Sequence, residues 1–205
     1  MIDIRIVSGD AVSEKHIKQA LDLDRLSYGT EYQLQFDACK AYFYKNNRIY
    51  LMAVDKHAYL VVGYINFSPI RSEAFDLLRS GQYIDTILTA EDIVAYTPEE
   101  KCYGYFSSIV VHPQYRCQGI ANTLLIQLKN LITNLAIKEG IYFKAIIADA
   151  VSDLGFRLLN KIGFVEIGDS NHGSQTMVLD LSSQSIKANA YNDTMIEAYK
   201  NQEVI

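Results

Sequence analysis

Residues 107–127 read SSIVVHPQYRCQGIANTLLIQ, from Ser107 to Gln127. Ile109, Val110 and Val111 are a β-branched run that favours a buried strand. His112-Pro113 ends it, because proline has no N–H for the next ladder bond. Arg116, Cys117, Gln118, Gly119, Ile120 and Ala121 then form a glycine-bearing turn that opens a long helix. Ala121, Leu124, Leu125, Leu128, Leu131, Ile132, Leu135 and Ala136 recur on one face of that helix. A strand feeding a helix in this way leaves several backbone N–H groups converging on one point, and the helix dipole adds positive potential there. The spacing predicts a phosphate site at the N–H groups from Cys117 to Asn122.

The chain around this stretch alternates strands and helices. Asp3–Val7 suits a first strand, and Ser13–Tyr28 and Asp37–Lys45 suit two helices joined by an aromatic-rich loop. Ser13 is an N-cap three residues before His16, lacking the glutamate of a full capping box. Ile49–Val54 and Ala58–Phe67 read as a hairpin, with Gly63 marking a bulge or a close approach. Residues 68–101 form a long connection containing a short helix, Ser72–Ser80, and a further turn near Thr89; such connections are commonly functional or lid-like, or else cover a sheet edge. Cys102–Val111 is the fourth strand and Tyr142–Val151 an apolar fifth. Ser152 or Asp153 caps a helix that Gly163 closes. A terminal hairpin, Phe164–Gly168 with Ser174–Leu181, precedes a helix over Ile186–Tyr199. No repeat or linker interrupts the chain, so residues 1–205 are expected to be one domain with a helical extension over 184–205.

The turn resembles the acetyl-CoA-binding motif of the GNAT N-acetyltransferase superfamily, Gln/Arg-x-x-Gly-x-Gly/Ala after a strand ending in Val-x-Pro. Arg116, Gly119 and Ala121 hold its three defining positions. The resemblance implies an α/β (α+β) fold: a mixed, mostly antiparallel central sheet of about seven strands, splayed between strands 4 and 5 and flanked by helices. It implies acetyl-CoA as co-substrate and no metal. The pyrophosphate would rest on the amides of Cys117, Gln118, Gly119, Ile120, Ala121 and Asn122. The pantetheine would pair with Ile109, Val110 and Val111, and an N–H near Val110 or Val111 would face the thioester oxygen.

The acceptor amine must lose a proton before it attacks, so a general base is expected. The family's Glu or His on the fourth strand falls at Tyr105 here, and the neighbouring inward position is Ser107. Tyrosine is a poor base at neutral pH, so Tyr105 relays, positions or packs. Asp149 on the fifth strand is the better candidate, its apolar setting raising the carboxyl pKa; it is alternatively a helix-capping aspartate. The family's tyrosine acid, four residues before Gly163, is replaced by Leu159, and its asparagine in the cofactor-binding set by Ser152. Tyr28, Tyr32 and Tyr83, with Asp85, Glu91, Asp92, Tyr96 and Ser107, are expected on the acceptor side, where aromatics beside carboxylates suit a cationic amine.

Composition narrows the classes further. Net charge is −5 without a dense basic cluster, which argues against nucleic acid as a partner. No apolar run reaches the roughly 18 residues of a membrane span, and the start lacks a secretory signal, so the expected location is the cytoplasm. Cys39, Cys102 and Cys117 are expected as free thiols. The first strand lacks the Gly-x-Gly-x-x-Gly of a dinucleotide-binding fold. Two functions stay open: an N-acetyltransferase for a small-molecule amine or protein amino group, and an acetyl-CoA sensor that has lost the chemistry. The resemblance leaves room for a homodimer.

Overall fold

In a computed structural model, residues 3–28, 33–82, 85–98, 101–181 and 191–200 are described. All seven expected strands are present: β1 (Ile4–Val7), β2 (Tyr50–Asp55), β3 (Leu60–Ile70), β4 (Lys101–Val111), β5 (Tyr142–Ala150), β6 (Val165–Asp169) and β7 (Gln175–Asp180). They hydrogen-bond in the order β1-β2-β3-β4-β5-β7-β6. The β4–β5 pair is parallel, and the β1–β2, β2–β3, β5–β7 and β6–β7 pairs are antiparallel. Among the described residues six α-helices accompany them: α1 (Glu14–Ser27), α2 (Phe36–Lys45), α3 (Ser72–Arg79), α4 (Ile120–Glu139), α5 (Asp153–Ile162) and α6 (Asp193–Lys200). The expected mixed, mostly antiparallel sheet is therefore what the chain forms.

The chain divides into two compact units. The first comprises residues 1–68, 85–95 and 107–128. Its core is Ile17, Leu21 and Leu23 of α1, the inner residues of β2 and β3, and Leu124 and Leu128 of α4. Helix α1 begins at a reciprocal cap that the sequence only half shows. Ser13 Oγ accepts the His16 N–H at 3.4 Å, and His16 Nδ1 accepts the Ser13 N–H at 3.2 Å. A neutral imidazole thus takes the part usually given to glutamate. Burial, then the charges of Arg5 and Lys15, holds the His16 pKa below its ordinary value and keeps that nitrogen an acceptor.

Gly63 proves to be both of the things its position in a strand suggests. The β2–β3 register passes from Ala53↔Gly63 to Val54↔Val61, a bulge at Val62. A Cβ at Gly63 would stand 3.0 Å from the Val110 carbonyl oxygen and 3.1 Å from Ile120 Cγ2, so β4 and α4 close over the backbone. Val62, Gly63 and Asn66 lie against His112, Val110 and Ser107 respectively, which shows that β3 and β4 run antiparallel.

The 85–95 segment of the long connection is fixed to α2 rather than standing off as a lid. Tyr42 O–H donates to the Leu88 carbonyl, Asn46 Nδ2 donates to the Val94 carbonyl at 3.1 Å, and Leu88 and Ile93 are buried. Asp92, expected on the acceptor side, is buried too: its carboxylate accepts the Thr89 N–H at 2.8 Å and the Thr89 O–H at 2.9 Å. Its role is to cap a short turn.

The second unit holds residues 69–84, 96–106 and 129–205. Its parallel ladder runs from Lys101↔Tyr142 to Tyr105↔Ile147, and β7 pairs along the other edge of β5. Phe75 of α3 stacks on Tyr103, ring centroids 4.2 Å apart. Helix α5 is capped by Ser152, whose Oγ accepts the Gly155 N–H at 3.2 Å, and ends at Gly163 with φ +109°. The C-terminal helix is described over Asp193–Lys200; residues 186–190 of the expected helix lie outside the described part. Tyr199 of α6 accepts the Phe143 N–H at 3.0 Å. Among the described residues, no helix is long and apolar enough to cross a membrane.

Gly63→Ala would push a methyl group against a backbone oxygen that cannot rotate away. It is expected to cost about 1–3 kcal/mol, read as a lowered thermal midpoint with the far-ultraviolet circular dichroism unchanged.

Candidate functional site

The predicted anion turn forms as a sequence of four local decisions. The His112 N–H closes the β3–β4 ladder on the Val62 carbonyl at 2.9 Å. Pro113 starts a single 3-10 turn, Pro113–Tyr115, capped by His112 Nδ1, which accepts the Gln114 N–H at 3.3 Å. Cys117 and Gly119 then take positive φ, +60° and +80°, and α4 begins at Ile120. At Gly119 glycine is needed for its backbone and not for space, since a Cβ there meets nothing within 4 Å.

Two left-handed residues just before a helix turn its first amides outward. The Thr123 N–H makes the first bond, to the Gly119 carbonyl at 2.9 Å. Among the described residues no acceptor is bound by the N–H groups of Cys117, Gln118, Gly119, Ile120, Ala121 or Asn122. Arg116 to Gly119, Asn122 and Thr123 are exposed, whereas Ile120 is buried and anchors the turn. Cys117 is an exposed free thiol; Cys39 and Cys102 are also free.

The loop is held from behind by a contact that the sequence does not announce. Tyr115 O–H donates to Asp55 Oδ2 at 3.1 Å, while Asp55 Oδ1 accepts the His57 and Ala58 N–H groups at 2.8 and 3.1 Å. One carboxylate thus closes the β2–β3 hairpin and ties down the loop ahead of the anion turn. Asp55 is only 7 % exposed, covered by its own turn and by Tyr115. The Ala58 and His57 amides, helped by Tyr115, hold its carboxyl below the usual aspartate range. Above the ordinary value near 4 the tether is intact, and it is lost only as pH falls through the lower folded value.

The strand leading into the turn presents its backbone groups alternately. The Val110 carbonyl points at Gly63 of β3. Those of Val111 and Ile109 point elsewhere: Val111 accepts Arg116 Nε at 3.2 Å, and Ile109 accepts the Tyr28 O–H at 3.4 Å. Of the three strand residues singled out from sequence, Ile109 and Val111 therefore turn their backbones away from β3, while Val110 is buried. Ser107 Oγ donates to Asn66 Oδ1 at 3.0 Å.

Tyr105, Asp149 and Ser152 belong to the second unit. Tyr105 is 5 % exposed, beside Ile147 on β5. Asp149 faces Thr176 of β7, whose O–H donates to Asp149 Oδ1 at 2.9 Å. Burial raises the Asp149 pKa, opposed by the Thr176 hydroxyl and by the charge of His172. His172 stands in the β6–β7 turn, and its Nε2 meets the Gln82 carbonyl at 3.2 Å, while the Asn171 N–H donates to the Gly81 carbonyl at 2.8 Å. The end of α3 thus fixes the loop that carries His172, a placement no local pattern foretells. Asp149 is not a helix cap, because Ser152 fills that role for α5. Ser152 itself is exposed.

Leu159 is buried at 5 % exposure and offers no proton. Glu91 is exposed beside Lys45 at 3.4 Å, and Tyr96 packs edge-on against Phe143, ring centroids 6.3 Å apart. Tyr32 and Tyr83 lie outside the described residues, as does the side chain of Asp85. Among the described residues, no group of three or more His, Cys, Asp or Glu is placed to hold a metal ion.

A strand, a left-handed turn and a helix with unbonded leading amides are the parts the resemblance asks for, and the family model named Acetyltransferase (GNAT) family matches residues 17–164. The chain belongs to the GNAT acetyltransferase family. No curated protein sequence matches it. Solved structures of this GNAT protein's fold include a NatC complex bound to Gag peptide and CoA, at TM-score 0.61 and 13% identity, covering 88% of this chain and 100% of that one. Arabidopsis thaliana NAA60 in complex with acetyl-CoA aligns at TM-score 0.59 and 14% identity, over 87% and 99% of the two chains. A mosquito arylalkylamine N-acetyltransferase, like 5b, aligns at TM-score 0.58 and 14% identity, over 87% and 100%. At these identities the likeness is one of fold.

Tyr115→Phe removes the hydroxyl that ties the loop to Asp55 and leaves the ring in place. Hydrogen exchange of the Tyr115 and Arg116 amides is expected to quicken severalfold, with the global thermal midpoint nearly unchanged.

Proposed function

We propose that this GNAT protein transfers the acetyl group of acetyl-CoA to a primary amine, of a small molecule or of a protein, by direct attack within a ternary complex. The observation that carries the reading is the run of amides from Cys117 to Asn122, which among the described residues have no acceptor, with Cys117, Gln118, Gly119 and Asn122 exposed. Two more features support it: Ile109 and Val111 turn backbone groups away from β3, and structures of the same fold are bound to CoA or acetyl-CoA.

On this reading the turn holds the pyrophosphate through N–H groups at the positive end of α4. Arg116 braces the strand exit through Val111 and adds a positive charge beside the turn. The pantetheine lies along Ile109 and Val111 as an added strand. The Val111 N–H, which in an extended strand points the same way as its carbonyl, meets the thioester oxygen as negative charge grows there. Val110, with its carbonyl toward β3, contributes packing. Asp149 takes the proton from the amine: burial raises its pKa, and a carboxylate with a raised pKa is a stronger base than an ordinary one. The departing thiolate needs little help, since a free thiol is already acidic, with a pKa near 8.5.

A second reading, a sensor that binds acetyl-CoA without turning it over, draws support from buried Leu159 at the family's acid position and buried Tyr105 at the position of its Glu or His. Release of free thiol from acetyl-CoA in the presence of an amine library separates the two. Release supports the enzyme; tight binding with no release across the library supports the sensor.

Gly119→Pro imposes a φ near −65° on a residue that needs +80°, and calorimetry is expected to show acetyl-CoA binding abolished; retained affinity refutes the pyrophosphate assignment. Asp149→Asn is expected to lower turnover and remove the acid limb of the pH–rate profile while acetyl-CoA affinity stays the same. The raised pKa means that ionised Asp149 weakens folding as pH rises through the folded value. The same variant is therefore expected to match or exceed the parent's thermal midpoint at neutral pH. A fall in midpoint with an unmoved profile assigns Asp149 a structural role.

A further inference from the structure

A second polar cluster lies within the first unit, on the face of β3 and β4 that meets α1. Asp24, near the end of α1, accepts a hydrogen bond from the Tyr64 hydroxyl of β3. Tyr28, four residues on, donates its N–H to the Asp24 carbonyl at 2.8 Å and its O–H to the Ile109 carbonyl at 3.4 Å. The last turn of α1 thus sends a carboxylate to β3, and Tyr28, the extended residue that caps the helix, sends a phenol to β4. Along the strands the same face continues with Asn66, two beyond Tyr64, and Ser107, two before Ile109, joined by their 3.0 Å hydrogen bond. The ring of Tyr50 stands 6.2 Å from that of Tyr64, and both are buried. A carboxylate, an amide and a hydroxyl among tyrosines is an uncommon filling for a helix–sheet interface.

We propose that this cluster is the subsite for the positive charge of the acceptor, with Asp24 the residue that selects a cationic amine. The inference rests on the acetyl-transfer reading and names its substrate class. An aliphatic amine arrives protonated at neutral pH, because its pKa lies near 10. A carboxylate accepts an ammonium through charge-assisted hydrogen bonds, and phenol rings beside it add their electron-rich faces. Tyr64 fixes the Asp24 side chain in one orientation before the ligand arrives, which lowers the entropy lost on binding. Tyr28 is bonded at its N–H to the Asp24 backbone carbonyl and at its hydroxyl to Ile109, one of the two residues assigned to the thioester arm, so the stretch that carries Asp24 is joined to that strand. Asp24 acts on binding, and Tyr64 is a positioning residue that acts through it.

The full chain, saturated with CoA, is titrated calorimetrically with three probes: 2-phenylethylamine, spermidine and a short peptide with a free N-terminal amine. Binding of at least one is expected, and Asp24→Asn is expected to weaken it about 10- to 100-fold, with Asp24→Glu recovering most of the loss. Tyr64→Phe, which keeps the ring and removes the hydroxyl, is expected to weaken the same probe by a smaller factor. Acetyl-CoA affinity and the thermal midpoint stay at parental values in all three variants. No binding of any probe, equal binding by Asp24→Asn, or a parallel collapse of acetyl-CoA affinity and midpoint overturns the assignment. Failure of acetyl-CoA to bind the parent protein removes the acetyl-transfer reading and this one together. Loss confined to the amine in Asp24→Asn concerns Asp24 alone.

Discussion

Peptide N–H groups must be answered by an acceptor, and at the start of a helix the chain itself provides none for the first few. Most proteins meet this with a capping side chain, as this one does at Ser13 and Ser152. At α4 it does not. Cys117 and Gly119 adopt positive φ, and the leading amides open outward unbonded. Everything else in the first unit keeps that arrangement in place: β3 bends at a bulge so that β4 can close over Gly63, Ile120 is driven into the core, and Tyr115 is pinned to Asp55.

The polar residues of the two units follow different logics. Burial raises the Asp149 pKa, and the Thr176 hydroxyl and the charge of His172 oppose the rise. Asp55 is the opposite, a carboxylate saturated by two amides and a phenol and so held ionised. Asp92 is spent on a cap. Three aspartates that look alike in the sequence thus divide, by their hydrogen-bond partners, into a buried carboxyl with a raised pKa, a brace and a cap. The sign of charge alone distinguishes none of them.

What the sequence revealed and what it hid divide along the same line. Strand and helix positions were legible because period and punctuation are local: Pro113, Gly119 and Gly163 end or begin elements wherever they stand. The left-handed turn ahead of α4 was legible because it occupies six consecutive residues. The capping box of α1 was half legible, since imidazole is not the expected partner of an N-cap serine, although its nitrogen can accept the same N–H. The expectation that Asp92 lines the acceptor side failed because the sequence shows that the residue is acidic and not that Thr89 lies within reach. Tyr115 with Asp55, Tyr64 with Asp24, and Gln82 with His172 were all invisible, each pair being brought together only by the folded chain.

The double duty of Asp55 carries one more consequence. A β-hairpin closed by a two-amide clasp assembles from neighbouring residues, early and without help from distant parts of the chain. By gripping Tyr115 with its second oxygen, the same carboxylate hands that local order to a loop with little of its own. The entropy of arranging the turn ahead of α4 is settled while the polypeptide folds, and the turn reaches any contact with its shape already decided.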